Sequence, residues 1–375
     1  MLSELHLLDR LDEIESRLDR WTEFFRRCGI SAPFCSPVTW VSWLRTHPSK
    51  TAAVFEWYVD GELRALVPMV RSEHTLEMAA SLDLDYQDLA ATSHEEAVEA
   101  LLAIVARESS LSSRLIFPQV AAGSRLAGVL ADPRVSAVAV GESRYFSQCP
   151  VAEFSLEGKA DFLAAIPARQ RKDYRNASRR ISEHYPEHVV RHLGPGGFDP
   201  ELIDEIAVLH RANQFRKSGE SVFAKAEFVA FLKELAAGDS ALCLSILREH
   251  KDGPLIAFHL GYSEGDTFYY YITSYSGTHS HCAPGRWLLV DALRHRAELL
   301  PGTRFRFDML SGEEGYKFHW ATGSYLVSRF VLLPRRFDNL PRILAYSAVY
   351  GLKKAKNRLL HGRSSTEPED LALPR

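Results

Sequence analysis

Asp308-Met-Leu-Ser-Gly-Glu-Glu-Gly-Tyr316-Lys317-Phe-His-Trp320 gathers acid, phenol and amine side chains in one short stretch, and the segments ahead of it decide how it reads. Phe268-Tyr-Tyr-Tyr-Ile272 is a continuous apolar run that predicts a buried strand. Residues 278–284 read as a loop, 285–300 as an amphipathic helix, and Arg304-Phe-Arg-Phe-Asp308 alternates like a half-buried strand. A polar loop feeding a helix N-terminus favours anions, because free backbone N–H groups and the positive dipole end both point at it. The Asp, Tyr and Lys then leave the next strand at the same edge. The order predicts a site for a phosphate-bearing donor.

The rest of the composition sets the frame. A chain of 375 residues exceeds one ordinary core and predicts two domains. Hydrophobic content of 46% with 25% charged residues is that of a globular protein, and a net charge of −3 argues against wholesale coating of nucleic acid or membrane. Cys28, Cys35, Cys149, Cys243 and Cys282 are odd in number and form no C-x-x-C pair, which predicts free thiols in a reducing compartment. Glu4, Asp9, Asp12 and Glu13 stand where a secretory signal needs a basic start and an apolar run, and no apolar stretch is long enough for a span. The expected location is the cytoplasm.

Outward from the opening stretch, the chain repeats an order of elements. Leu11, Ile14, Leu18, Trp21, Phe25 and Cys28 fall at helical spacing, which predicts one helix ending at Gly29. A second helix starts at Pro37, with Trp40 and Trp43. Residues 53–59 and 63–70 flank Asp60-Gly61, a hairpin signal. A short segment around Tyr86, a helix over 94–107 and a strand at 114–117 follow. The later half runs 242–248 and 255–262 around Asp252-Gly253, then the strand at 268, the helix from 285 and the strand at 304. Hairpin, strand, helix, strand occurs twice, so the chain reads as two copies of one α/β unit joined near 141–150.

The strongest charge feature is Arg169-Gln-Arg171-Lys172-Asp-Tyr174-Arg175-Asn-Ala177-Ser-Arg179-Arg180-Ile181. Ala177, Ile181 and Tyr174 fall on one helix face, and Arg169, Lys172, Arg175 and Arg179 on the other. Two readings stand side by side: a solvated face, or guanidinium groups placed for phosphate or carboxylate.

Four stretches together resemble the GNAT acyltransferase superfamily, and within it the branch of cellulose-biosynthesis CelD/BcsL-type acetyltransferases related to Fem-type tandem-GNAT transferases. They are Phe34-x-Ser36-Pro37-x-x-Trp40 with Trp43, the arginine-spaced helix, Ala283-Pro284-Gly285-Arg286-Trp-Leu-Leu, and Asp308-Met-Leu-Ser-Gly312 with Tyr316, Lys317 and Trp320. The resemblance spans residues 11–333. It implies an α/β fold of tandem GNAT-like domains, each a mixed sheet flanked by helices. The expected division is a degenerate N-terminal copy (1–145), the acyltransferase copy (146–335), and a basic amphipathic helix with a polar tail (336–375).

The resemblance also implies a donor, acetyl-CoA or another acyl-CoA. Its pantetheine would lie along Tyr271, Ile272 and Thr273, and its pyrophosphate on Cys282, Ala283, Gly285 and Arg286. Asp308, Tyr316 and Lys317 are the implied catalytic group, and Arg169, Lys172, Arg175 and Trp320 the implied acceptor contacts. The acceptor would be an amine or hydroxyl of a small molecule, sugar or cell-envelope precursor. One departure stands out: the usual Arg/Gln-x-x-Gly-x-Gly/Ala loop has here a single glycine, Gly285, and Pro284 removes a donor. Charged tRNA or an acyl carrier protein are therefore alternative donor carriers, and a non-catalytic subunit of a polysaccharide machine is a reading from another class.

Read residue by residue, bland roles stand beside these. Asp308 could cap a turn, Lys317 could pair with Asp308, Glu313 or Glu314, and His259 reads as a core histidine. His279-x-His281-Cys282 lacks a fourth ligand at standard spacing, so no metal is expected. The basic, leucine-bearing segment from Arg335 to Leu360 reads as packed on the body or as a peripheral membrane contact.

Overall fold

A computed structural model describes residues 2–30, 32–80, 83–109, 114–216, 219–300 and 304–335. Its strands are β1 (Ser3–Leu8), β2 (Thr51–Val59), β3 (Glu62–Ser72), β4 (Thr75–Met78), β5 (Ala90–Ala91), β6 (Arg114–Ala121) and β7 (Ala139–Ser155), then β8 (Val189–Leu193), β9 (Leu242–Arg248), β10 (Leu255–Glu264), β11 (Thr267–Tyr275), β12 (Arg304–Asp308) and β13 (Gly323–Pro334). They form one mixed sheet in the order β1-β2-β3-β4-β6-β13-β7-β12-β11-β10-β9-β8, with β5 pairing β3.

The repeated order survives as repeated pairing. The β2–β3 hairpin is followed by β4, which runs parallel to β6 across the helix His94–Ser109. The β9–β10 hairpin is followed by β11, which runs parallel to β12 across the helix Pro284–Leu299. Asp60 and Gly61 both take positive φ, 49° and 80°, as the tight turn between β2 and β3 requires.

Three expectations change. The strand paired in parallel across the first crossover helix is β4, and the segment around Tyr86 is a loop. The joint expected near 141–150 is β7, a 17-residue strand hydrogen-bonded to β12 on one side and β13 on the other. The single helix over 11–28 is two, Leu11–Glu15 and Leu18–Arg27, broken where Arg17 reaches the fully buried Glu56 of β2.

β13 is the last described strand, yet it pairs with β6 of the first half, while β7, running on from the first half, pairs with β12 of the second. β7 and β13 pair with each other from Gly323↔Val151 to Pro334↔Ala139. The expected boundary at 145/146 thus falls inside a strand. Residues 336–375, with the basic amphipathic segment read as packed on the body or as a peripheral membrane contact, lie outside the described residues.

Among the described residues, buried apolar side chains form three clusters. One lies under the helix His94–Ser109. A second lies between the sheet and the helices Ala168–His184 and Pro284–Leu299. The third draws from both halves and holds Phe34, Tyr86, Tyr262, Tyr269 and Leu310 with the helices Leu18–Arg27, Pro37–Thr46, Glu201–Arg216 and Ala226–Ala237.

Candidate functional site

The parallel ladder between β11 and β12 has only three pairs and stops at Tyr269↔Asp308. β11 continues to Tyr275, still paired to β10 but open on the other side. The opening leads into a cavity of about 580 Å³ lined by Tyr270, Thr273, Ser274 and Tyr275 of β11, Ala283 to Arg286 at the next helix start, Arg169, Gln170 and Asp173, Asn213 and Gln214, and Glu314, Tyr316, His319 and Trp320. An unpaired strand edge leaves backbone N–H and C=O groups that a ligand's amides can meet.

The helix Pro284–Leu299 begins on this cavity. Ala283 precedes it at φ 52°, the left-handed region, which is costly for a residue with a Cβ. That turn places the Gly285 and Arg286 amides in the first helical turn, where no intrahelical acceptor exists. A Cβ on Gly285 would lie 3.2 Å from the Tyr275 ring. From behind, the buried His259 ties this turn down, its Nε2 donating to Gly285 O at 2.8 Å. Burial lowers the His259 pKa to about 4, so the ring stays neutral, as the core-histidine reading required.

Arg286 is paired with Asp173 at 2.9 Å, so this acid of the basic helix neutralises the cation at the helix start. Beside the pair a hollow of about 330 Å³ is lined by Asp173, Asn176, Arg179, Arg180, Ala283 and Arg286. Three of its six residues are arginines, which suits a phosphorylated ligand.

On the opposite face of β11, at the point where the ladder stops, lies a cluster of acids and phenols from both halves. Asp308 is 2% exposed and accepts from the Tyr86 hydroxyl at 2.6 Å, the Tyr325 hydroxyl at 2.7 Å and the Leu310 N–H at 3.0 Å. Burial raises its pKa to about 6, against the pull of Leu310 N–H, Arg306 and Lys317. Asp85 is hydrogen-bonded to Ser311, and burial, with the nearby Asp308 charge, raises it likewise to about 6. Two carboxyls poised near neutrality are suited to proton transfer.

Of the expected donor residues, Thr273, Ala283, Gly285 and Arg286 line the cavity, together with Arg169, Tyr316 and Trp320. Tyr316 is hydrogen-bonded to Tyr270, and burial pushes its pKa up to about 12. Others lie elsewhere. The Tyr271 hydroxyl turns to the other face and donates to Asp83 O, and Ile272 packs into the core shared by both halves. The Cys282 thiol is buried 3.8 Å from Arg180 O. Lys172 and Arg175 sit on the exposed helix face and are not among the cavity residues. Lys317 is 5% exposed, donates to Ser311 O at 2.8 Å and pairs with Glu314 at 3.1 Å, so the ion-pair reading describes it.

Sequence reading missed Asp85, Tyr86 and Tyr325. The one available signal was Asp83-x-Asp85-Tyr86-x-Asp88, three acids in an otherwise apolar stretch. The first motif proves to be its support: the Trp43 indole donates to Asp83 at 2.8 Å, and Phe34 meets Tyr86 edge-on at 5.8 Å between centroids.

Residues 168–318 match the family model described as acetyltransferase (GNAT) domain. Among solved structures the chain is similar to FemX, with 11% identity, a TM-score of 0.59, and coverage of 88% of this chain and 97% of that one. It is also similar to a conserved protein of unknown function from Bacteroides thetaiotaomicron (12% identity, TM-score 0.53, 88% and 100% covered). A tandem GNAT protein from the clavulanic acid biosynthesis pathway gives 12% identity, a TM-score of 0.50, and 89% and 100% coverage. No curated protein matches. The chain carries a GNAT-type acyltransferase domain in its second half, on the mixed α/β fold of tandem GNAT proteins. Among the described residues no helix is long and apolar enough to cross a membrane.

Proposed function

We propose that this protein transfers an acyl group from the thioester of a pantetheine-bearing donor, coenzyme A foremost, to an amine or hydroxyl. The observation that carries the reading is the splay: β11 leaves β12 after Tyr269↔Asp308 and opens onto a cavity that also receives a helix N-terminus. Pantetheine amides would meet the open edge of β11. The Gly285 and Arg286 amides, with Arg169, Arg179 and Arg180, would hold the phosphates. Pro284 and the Arg286–Asp173 pair weaken that grip without filling the cavity.

In the transfer, the acceptor's N–C or O–C bond forms as the C–S bond breaks. Asp85 takes the acceptor proton. Asp308, with both carboxylate oxygens already engaged, is a positioning residue that holds the loop of Asp85 through Tyr86. Tyr316, protonated at neutral pH and facing the cavity, supplies the proton to the leaving thiolate. The acceptor enters from the side of the first half, where Asp85 and Tyr86 stand. The motif resemblance to the cellulose-biosynthesis branch favours a sugar or envelope precursor as that acceptor.

Calorimetric titration with acetyl-CoA tests the donor, using the native chain, Gly285→Ala and Gly285→Glu. The glutamate places a negative charge where a phosphate would sit. At about 5 Å and an effective dielectric of about 20 the repulsion is roughly 3 kcal/mol, an affinity loss of about 100-fold. A carboxylate at a helix N-terminus favours the helix, so folding is retained. Absence of binding by the native chain overturns coenzyme A as donor.

A second reading has its own observation: Arg169, Lys172 and Arg175 stand exposed along one helix face with no ion pair among the described residues. The resemblance to Fem-type transferases implies charged tRNA as a donor that such a face could hold. Binding of tRNA that falls steeply with salt, and that Arg175→Ala weakens, would favour it.

A further inference from the structure

His279-x-His281-Cys282 lacks a fourth ligand at standard spacing in the sequence, and in the fold one of its three candidates is also withdrawn. His279 is engaged elsewhere, with Nε2 on Glu249 at 2.7 Å and Nδ1 on the Ser276 hydroxyl at 2.9 Å. The fold supplies another histidine. His184 closes the helix Ala168–His184 and arrives beside His281 and Cys282 at the end of the short 3₁₀ turn Gly277–Cys282. The ligand atoms of the three side chains lie within 4.8 Å of one another.

We propose that His184, His281 and Cys282 bind a borderline-soft divalent cation, zinc foremost, with water in the fourth position. Histidine nitrogen and cysteine thiolate are zinc's usual donors, and three protein ligands with water in the fourth position make an open zinc site. Zinc–nitrogen bonds of about 2.0–2.1 Å and a zinc–sulfur bond of about 2.3 Å put tetrahedral ligands roughly 3.3–3.6 Å apart. Both imidazoles are exposed, so they can close the remaining ångström by side-chain rotation, whereas Cys282 is a buried anchor. The rings stand edge to face at 86° with centroids 4.9 Å apart, and neither has a hydrogen-bond partner among the described residues. Among those residues the only polar contact of the thiol is the weak one to Arg180 O.

Arg179 and Arg180 set a positive field against a cation here, and the thiolate charge offsets it. Binding forms the metal–sulfur bond, breaks the S–H bond, and releases one proton per ion to solvent. The bound ion joins the end of the basic helix to the loop ahead of Ala283, two elements otherwise linked here by the thiol contact to Arg180 O.

Metal-stripped protein is titrated with Co²⁺ and then with Zn²⁺, while absorbance and proton release are recorded. The expected result is one equivalent of cobalt with a thiolate-to-metal charge-transfer band, about one proton released, and displacement by zinc. Cys282→Ser abolishes the band, His184→Ala and His281→Ala each weaken binding at least tenfold, and His250→Ala, on an exposed loop, leaves it unchanged. Should Cys282→Ser fail to fold, the two exposed histidine variants carry the test. No charge-transfer band, or a band that survives both histidine substitutions, overturns the site. The readout is spectroscopic and does not depend on the acyl donor.

Discussion

Asp308→Asn tests the account of the buried acid cluster most directly. The Asp308 carboxyl sits 2% exposed, and burial raises its pKa from 3.8 to about 6. A carboxyl with a raised folded pKa binds its proton more tightly in the native state. Its stabilising contribution is therefore complete below the unfolded value of about 3.8 and is lost as pH rises through about 6. Holding the proton to about pH 6 rather than 3.8, at about 1.36 kcal/mol per factor of ten in proton affinity, amounts to roughly 3 kcal/mol. Asparagine does not titrate, so this pH dependence disappears.

The amide introduced by that substitution has one acceptor oxygen, so one of the Tyr86 and Tyr325 hydroxyls, which also bond each other, loses its carboxylate acceptor at a cost of about 1–2 kcal/mol at every pH. The diagnostic quantity is the difference in unfolding free energy between variant and native chain, measured in urea by tryptophan fluorescence from pH 4 to 7.5. That difference should move by about 3 kcal/mol in favour of asparagine as pH rises. Asp85 titrates in the same window and feels the Asp308 charge, so the pair is repeated in an Asp85→Asn background. A difference that stays flat within about 0.5 kcal/mol in both backgrounds refutes the buried-acid argument.

Three further outcomes follow from particular contacts. Asp85→Asn should lower kcat/KM for acyl transfer by about 100-fold and remove the limb near pH 6 from the pH–rate profile, with donor affinity unchanged; a retained limb would assign it to another group. Ala283→Gly relieves a left-handed backbone at φ 52° and should stabilise the fold by about 1 kcal/mol, read as a raised Tm. Glu108→Ala leaves Arg71 without its bidentate partner, at 2.6 and 2.7 Å, and should cost about 2–3 kcal/mol, whereas Glu23→Ala, facing Arg26 in solvent, should change stability by less than about 0.5 kcal/mol. Equal effects from those last two would show that burial does not set the strength of these pairs.

Periodicity made the local elements legible. The alternation at 304–308, the apolar run at 268–272 and the helical spacing after Pro284 each depend on neighbours a few residues away, and all three elements form where expected. The Asp60-Gly61 turn depends on two residues only. The polar loop that opens a helix N-terminus on the cavity was legible for the same reason, as was the exposed arginine face of the helix Ala168–His184.

What brings distant residues together could not be read that way. Tyr86 reaches Asp308 across 222 positions of sequence, because a loop of the first half and a strand end of the second are carried by one sheet. β7 and β13 exchange sides between the halves because an antiparallel partner is chosen by matching faces and hydrogen bonds, which the sequence of one strand does not encode. The same holds for His184 beside His281 and Cys282. Local side-chain pattern determined the elements and the polar loop ahead of the helix Pro284–Leu299, whereas the acid pair and the histidine–cysteine cluster exist only because the sheet and its covering helices bring remote segments within bonding distance.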